Sequence, residues 1–141
     1  MQSAELQVDL VVPSQTKYLT LIGNIGEQIA KELDGYKGDR EAFAYHLNLV
    51  LTEAITNAIK HSSSENPLDT VKLTVQIKND ELVIRVFDHG QGFDLESVPL
   101  PDLEHPQEGG MGLFLIKTLM DSVTYNKTTE GNILEIRKSL K

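Results

Sequence analysis

Leu6, Val8, Leu10 and Val12 stand at alternate positions. That is the two-residue period of a strand, and Pro13, which has no ladder N–H to give, ends it. Leu19, Ile22, Ile25, Ile29 and Leu33 then recur at helical spacing, predicting a helix over 15–33 with Ser14 as its cap and Gly35 and Gly38 as punctuation. A second helix is predicted from about Asp39 to His61, followed by a polar Ser-rich loop with Asn66 and Pro67. Alternation returns at Val71, Leu73, Val75 and Ile77, and again at Leu82, Ile84 and Val86, with Asn79-Asp80 between them suited to a tight turn. The second of these strands runs into Asp88.

Residues 89–110 carry four glycines and three prolines, too many for a regular element, and a loop of that length inside a compact domain usually has a function. From Met111 to Asp121 the chain is apolar almost all round, the signature of a buried helix. Val123–Lys127 and Ile133–Lys138, joined by a turn at Glu130-Gly131-Asn132, predict a closing hairpin. The order is strand, helix, helix, hairpin, loop, helix, hairpin. It fits an α/β (α+β) two-layer sandwich, a mostly antiparallel mixed sheet with helices on one face. No repeat, linker or low-complexity tract divides the chain, so residues 1–141 are expected to form one domain.

Charge narrows the classes of partner. Thirteen Lys and Arg against 21 Asp and Glu leave a net charge of −8, which argues against direct nucleic-acid binding because phosphate contact needs a basic face. The chain has no cysteine, which excludes disulfides and thiolate metal sites. Its first residues lack the basic-then-apolar pattern of a signal peptide. No stretch approaches the ~20 apolar residues that span a bilayer. A soluble cytoplasmic protein without a membrane partner is the expectation.

Three clusters carry candidate chemistry. In TEAITNAIKH, residues 52–61, Glu53, Asn57 and Lys60 fall within a sector of roughly 60° on the second helix. They border the apolar stripe of Leu47, Val50, Leu51, Ala54 and Ala58. A carboxylate there can act as a base and an amide oxygen one turn on can bind Mg²⁺; a solvated helix edge has the same composition. In FDHGQGFD, residues 87–94, a strand ends in Asp88, and Gly90 and Gly92 permit a sharp turn and close approach of a ligand. A carboxylate so placed can accept a hydrogen bond from an exocyclic amine, although Asp and Gly after a strand are also ordinary turn residues. In EGGMGLFLIKTLMD, residues 108–121, Gly109, Gly110 and Gly112 flank Met111 at the start of a helix. Free N–H groups at such an end suit phosphate; a hinge before a core helix reads the same way. There is no glycine-lysine-serine/threonine and no preceding βαβ unit, so P-loop and dinucleotide patterns fail.

Taken together, helical E-x-x-x-N, then D-x-G-x-G after a strand, then G-x-G before a helix resembles the ordered motifs of the gyrase/heat-shock chaperone/histidine-kinase/MutL ATPase superfamily, the Bergerat ATP-binding fold. The strings LTEAITNAIKH, VFDHGQGFD and EGGMGLFLIKTLMD look most like the small anti-sigma-factor serine/threonine kinases. That resemblance implies ATP and Mg²⁺ as cofactors, and Glu53 as the general base for a substrate hydroxyl. It implies Asn57 as the Mg²⁺ ligand, with Lys60 beside it, and Asp88 as the acceptor of the adenine amine in a pocket shaped by Gly90 and Gly92. Gly110, Met111 and Gly112 would face the phosphates. The implied substrate is a serine or threonine on a small anti-sigma-factor antagonist protein, which would compete with a sigma factor or another regulatory protein for this chain, acting as a homodimer.

One departure stands out: no Lys or Arg occurs between His89 and Ile116. Charge at the γ-phosphate would have to be neutralised by Mg²⁺, Lys60 or a partner. A second reading is therefore a nucleotide-gated binding module that sequesters a partner without phosphorylating it. A histidine-kinase catalytic domain would call for a helical dimerisation segment before residue 38, and a topoisomerase- or chaperone-type ATPase for a transducer domain. His61 suits a core or capping role, His46, His89 and His105 lack metal-ligand spacing, and Phe93 and Phe114 suit core positions.

Overall fold

The computed structural model describes residues 5–34, 36–60, 69–89 and 111–141. Strand β1 spans Leu6–Pro13, helix α1 Leu19–Lys31, helix α2 Arg40–Lys60, strand β2 Thr70–Lys78 and strand β3 Glu81–Asp88. Helix α3 spans Met111–Leu119, strand β4 Ser122–Thr128 and strand β5 Gly131–Ser139. The five strands form one sheet in the order β1-β2-β3-β5-β4. Each neighbouring pair among the described strands is antiparallel, in keeping with the mostly antiparallel sheet read from the sequence.

Alternation decides which face of each strand is covered. Val71, Leu73, Val75 and Ile77 of β2, Leu82, Ile84 and Val86 of β3, and Leu134 and Ile136 of β5 point into one core. They meet Ile22, Ile29 and Ala30 from the first helix and its end, Leu47, Leu51, Ala54 and Ile55 of α2, and Leu113 and Ile116 of α3. Burial of this apolar surface is what holds the two layers together, at roughly 25 cal/mol per Å². The opposite face of the sheet carries charge instead. Glu135 accepts hydrogen bonds from Arg85 and Arg137, both at 2.8 Å, and Arg137 also reaches Glu81 at 2.7 Å. Burial pushes the Glu135 carboxyl up, but the hydrogen bonds and positive charges of Arg137 and Arg85 outweigh it and hold the group below the ordinary carboxylate range.

Two turns follow their local chemistry. Asn79 and Asp80 take φ of 54° and 58°, the left-handed pair that a two-residue hairpin between right-twisted strands requires. Asp39 caps α2: its Oδ1 accepts from the Ala42 N–H at 3.1 Å and its carbonyl accepts from Phe43 at 2.9 Å. Ser14, in contrast, does not cap the first helix. Its N–H donates to the Asp69 carbonyl at 3.0 Å, extending the β1–β2 edge by one bond, and a short 3₁₀ turn at Thr16–Tyr18 precedes α1. Pairing across Pro13 and Thr70 leaves Ser14 committed to the sheet.

The final hairpin is tighter than expected. Strands β4 and β5 pair up to Thr128 and Gly131, so only Thr129 and Glu130 form the turn, and Gly131 and Asn132 belong to β5 rather than to the turn. Among the described residues no helix is long and apolar enough to cross a membrane.

Candidate functional site

Helix α2 packs between α1 and α3 and against β2 and β3, and its apolar stripe fixes how it is rotated. With Leu51, Ala54, Ile55 and Ala58 buried, Glu53 and Asn57 sit at the border of the core, both half-buried. Lys60, the last residue of the helix, is exposed. The three share one sector of α2, but only Glu53 and Asn57 reach the partly shielded margin. Among the described residues no group of three or more His, Asp or Glu side chains gathers as a metal cluster.

The end of α3 meets that margin. Leu113 and Ile116 anchor α3 in the core, which brings Gly112, its second residue, up against Glu53. A Cβ at Gly112 would overlap Glu53 Oε2 and stand 3.1 Å from its Cδ. A side chain there would displace the Glu53 carboxylate, the far end of a flexible side chain. Gly112 lies in the first turn of α3, where helix N–H groups have no partners within their own helix.

Asp88 closes β3 and is buried, with only 4% of its surface exposed. The parity that points Leu82, Ile84 and Val86 inward also points Asp88 inward, on the helix side of the sheet. Directly across the ladder lies Asn132, also 4% exposed, and its Nδ2 donates to Asp88 Oδ1 at 2.9 Å. Gly131 makes the approach possible. It holds φ of +142°, and a Cβ there would fall 2.8 Å from the Asp88 carbonyl oxygen.

Of the residues singled out from sequence, Glu53 and Gly112 meet where α2 packs against α3, Asn57 stands one turn further along α2, and Asp88 is buried at the end of β3. Gly90, Gly92 and Gly110, with His61, Phe93 and His105, lie outside the described residues, as does the side chain of Met111. Phe114 is half-buried. Thr56 turns its hydroxyl back onto its own helix, donating to the Thr52 carbonyl at 2.7 Å. Asn132 was missed. Its signal was present: continuing the inward alternation of Ile136 and Leu134 by one more step lands on Asn132, but a Gly-Asn pair reads first as a turn.

A half-buried carboxylate, an amide one turn on, a glycine-bearing helix end and a buried carboxylate at a strand terminus are the described parts of the three motifs. The chain matches the histidine kinase-like ATPase domain family over residues 18–138. The serine-protein kinase RsbW of Staphylococcus epidermidis is 31% identical, the alignment covering 97% of this chain and 89% of the relative. The serine-protein kinase RsbW of Staphylococcus aureus (strain JH9) is 30% identical, with 100% and 91% covered. Among solved structures, the histidine kinase domain of the blue-light activated histidine kinase of Erythrobacter litoralis EL346 superposes with a TM-score of 0.55 at 22% identity. It covers 92% of this chain, which spans only 62% of that domain, and at this identity the likeness is one of fold. The resemblance read from the three motifs is borne out, and the chain belongs to the histidine kinase-like ATPase domain family, alongside the RsbW serine-protein kinases.

Proposed function

We propose that residues 1–141 act as one ATPase domain, a cytoplasmic serine/threonine protein kinase that phosphorylates a small anti-sigma-factor antagonist protein and binds a sigma factor or a comparable regulator. The observation that carries this reading is the apposition of Glu53 to Gly112. A base and a phosphate-suited helix end share one region, and the glycine leaves the room that both need.

When bound, Mg·ATP supplies the phosphoryl group and the metal charge. The residues described above fit such a ligand: Asn57 offers an amide oxygen to a hard cation, Asp88 an acceptor for an exocyclic amine, and the α3 end N–H donors to anionic oxygens. Glu53 Oε2 takes the proton of the substrate hydroxyl as that oxygen becomes the nucleophile. Lys60, exposed at the end of α2, can contribute positive charge at the rim, and Gly90, Gly92, Gly110 and Met111 complete the nucleotide surroundings. Phosphoryl transfer draws chiefly on positioning and charge stabilisation, which a chain of this size can supply if the partner brings the hydroxyl. Homodimerisation accompanies this reading.

The lack of Lys and Arg between His89 and Ile116 favours the second reading, a nucleotide-gated binder that sequesters its partner without phosphorylating it. One experiment separates the two. Candidate antagonist proteins are incubated with labelled Mg·ATP and either wild type or Glu53→Gln. A kinase labels one of them on serine or threonine, and Glu53→Gln slows the transfer by 10² or more while ATP binding persists. Tight ATP binding with no label on any antagonist would sink the kinase and leave the binder.

A further inference from the structure

Helix α2 is seated against a glycine on either side. Gly112 of α3 meets Glu53, and Gly23 of α1 meets the residues just before it. A Cβ at Gly23 would stand 2.5 Å from Asn48 Oδ1 and 2.8 Å from Thr52 Oγ1. Gly26, further along α1, brings the two backbones close, since a Cβ there would lie 3.1 Å from the Leu47 carbonyl oxygen. At this approach the contact is polar. Asn48 Nδ2 donates to Glu27 Oε1 at 2.7 Å, and Thr52 Oγ1 donates to Asn48 Oδ1 at 3.3 Å. Glu27, Asn48 and Thr52 are all half-buried. Apolar side chains of similar volume would fill the same seam, so packing alone does not call for a chain of hydrogen bonds there.

We infer that Asn48 is a positioning residue for phosphoryl transfer, fixing the roll of α2 against α1 and so the place of the Glu53 carboxylate beside Gly112. The inference rests on the reading of Glu53 as the base. The bonding at Asn48 has one sense: a carboxylate only accepts, so the amide nitrogen must turn to Glu27 and the amide oxygen to Thr52. Thr52 is the residue before Glu53, so a bond that holds one restrains the backbone of the other.

The size of the effect follows from helix geometry. The buried stripe of Leu47, Leu51, Ala54, Ile55 and Ala58 selects the face of α2 that points inward, but apolar burial is non-directional and tolerates a small roll. Side chains reach about 5–6 Å from a helix axis, so a roll of about 10° carries the Glu53 carboxylate by about 1 Å. A misplacement of that size can cost on the order of 10²-fold in rate. Hydrogen bonds weaken steeply with distance and angle, and so oppose the roll. Arg40 also bonds α1, donating to the Lys31 carbonyl at 2.8 Å, but it does so from the first residue of α2, more than three turns from Glu53.

Exchanging donor and acceptor gives the test. Asn48→Asp sets a carboxylate against Glu27 within about 3 Å, where the two cannot both stay ionised. Adding Glu27→Gln places an amide donor opposite the introduced carboxylate, which the Thr52 hydroxyl can still reach. Transfer of labelled phosphate to the antagonist protein at saturating ATP is measured for wild type, Asn48→Ala, Asn48→Asp and the double variant. Nucleotide titration runs beside it, and thermal unfolding sets a temperature at which each is folded. Asn48→Ala carries the loss if Asn48→Asp does not fold. The single variants should lose about tenfold or more in rate. ATP affinity, to which β3 and α3 contribute from outside α2, should stay within about threefold. The double variant should regain most of the rate. Single variants that transfer at the wild-type rate, a loss of ATP affinity that matches the loss of rate, or a double variant no faster than Asn48→Ala overturns the role of Asn48 while leaving Glu53 as the base. A wild type that binds ATP and labels no antagonist overturns the kinase reading, and the inference with it.

Discussion

Adding one methyl group at Gly112 puts the proposed base under direct test. In Gly112→Ala the new Cβ would overlap Glu53 Oε2 and lie 3.1 Å from Glu53 Cδ and 3.4 Å from its Cβ. Ordinary contact between non-bonded carbons is about 3.5–4.0 Å, so the carboxylate must retreat by about 1 Å. It can do so, because the obstructing atoms are the far end of a half-buried, flexible side chain. Alanine in place of glycine adds up to about 1 kcal/mol of helix propensity. Turning Glu53 off its rotamer costs about 0.5–1.5 kcal/mol, so the two nearly cancel. The unfolding temperature should move by no more than about 4 °C in either direction. Transfer should fall far more, since a misplacement of about 1 Å can cost on the order of 10²-fold. The backbone N–H of residue 112 survives the substitution, so ATP affinity should change much less than the rate. The assay is labelled phosphate transfer to the antagonist protein, run beside thermal unfolding and nucleotide titration. A folded Gly112→Ala protein with the wild-type transfer rate would refute the reasoning, because Glu53 could not then be acting from the position α3 imposes.

Two further outcomes test the frame that holds the site. Because the folded Glu135 carboxyl lies below its ordinary value, its stabilising increment is present above about pH 4.3, the unfolded value, and fades as pH falls through the lower folded value. Glu135→Gln should therefore cost about 0.5–1 kcal/mol at pH 7 in urea unfolding, the scale of a partly exposed ion pair, and progressively less as the pH falls below about 4.3; a cost that does not shrink in acid would mean packing rather than charge. Asp39→Ala should lower stability by about 1 kcal/mol through loss of the α2 cap, with Asp39→Ser restoring most of it. An unchanged denaturation midpoint for Asp39→Ala would show that the cap bond to Ala42 contributes nothing.

The local rules were legible wherever one residue and its near neighbours decide the outcome. The alternation of Val71 to Ile77 and of Leu82 to Val86 gave strands and faces. Asn79-Asp80 gave the turn, and Asp39 gave the start of α2. The ordered motifs gave the ATPase family, because Glu53, Asn57, Asp88 and Gly112 are each placed by a short local pattern. What sequence could not supply was anything that depends on two distant segments meeting. Ser14 has the chemistry of a cap, yet its N–H is taken by Asp69, more than fifty positions away. Gly131 and Asn132 have the chemistry of a turn, yet the pairing of β5 with β4 and with β3 draws both into a strand. That pairing sets Asn132 against Asp88 across a sequence separation of 44 residues. The approach of Gly112 to Glu53 likewise exists only because Leu113 and Ile116 bury α3 beside α2. Periodicity in the chain reports which face of an element is apolar, whereas which polar groups that burial forces together is settled only when the layers pack.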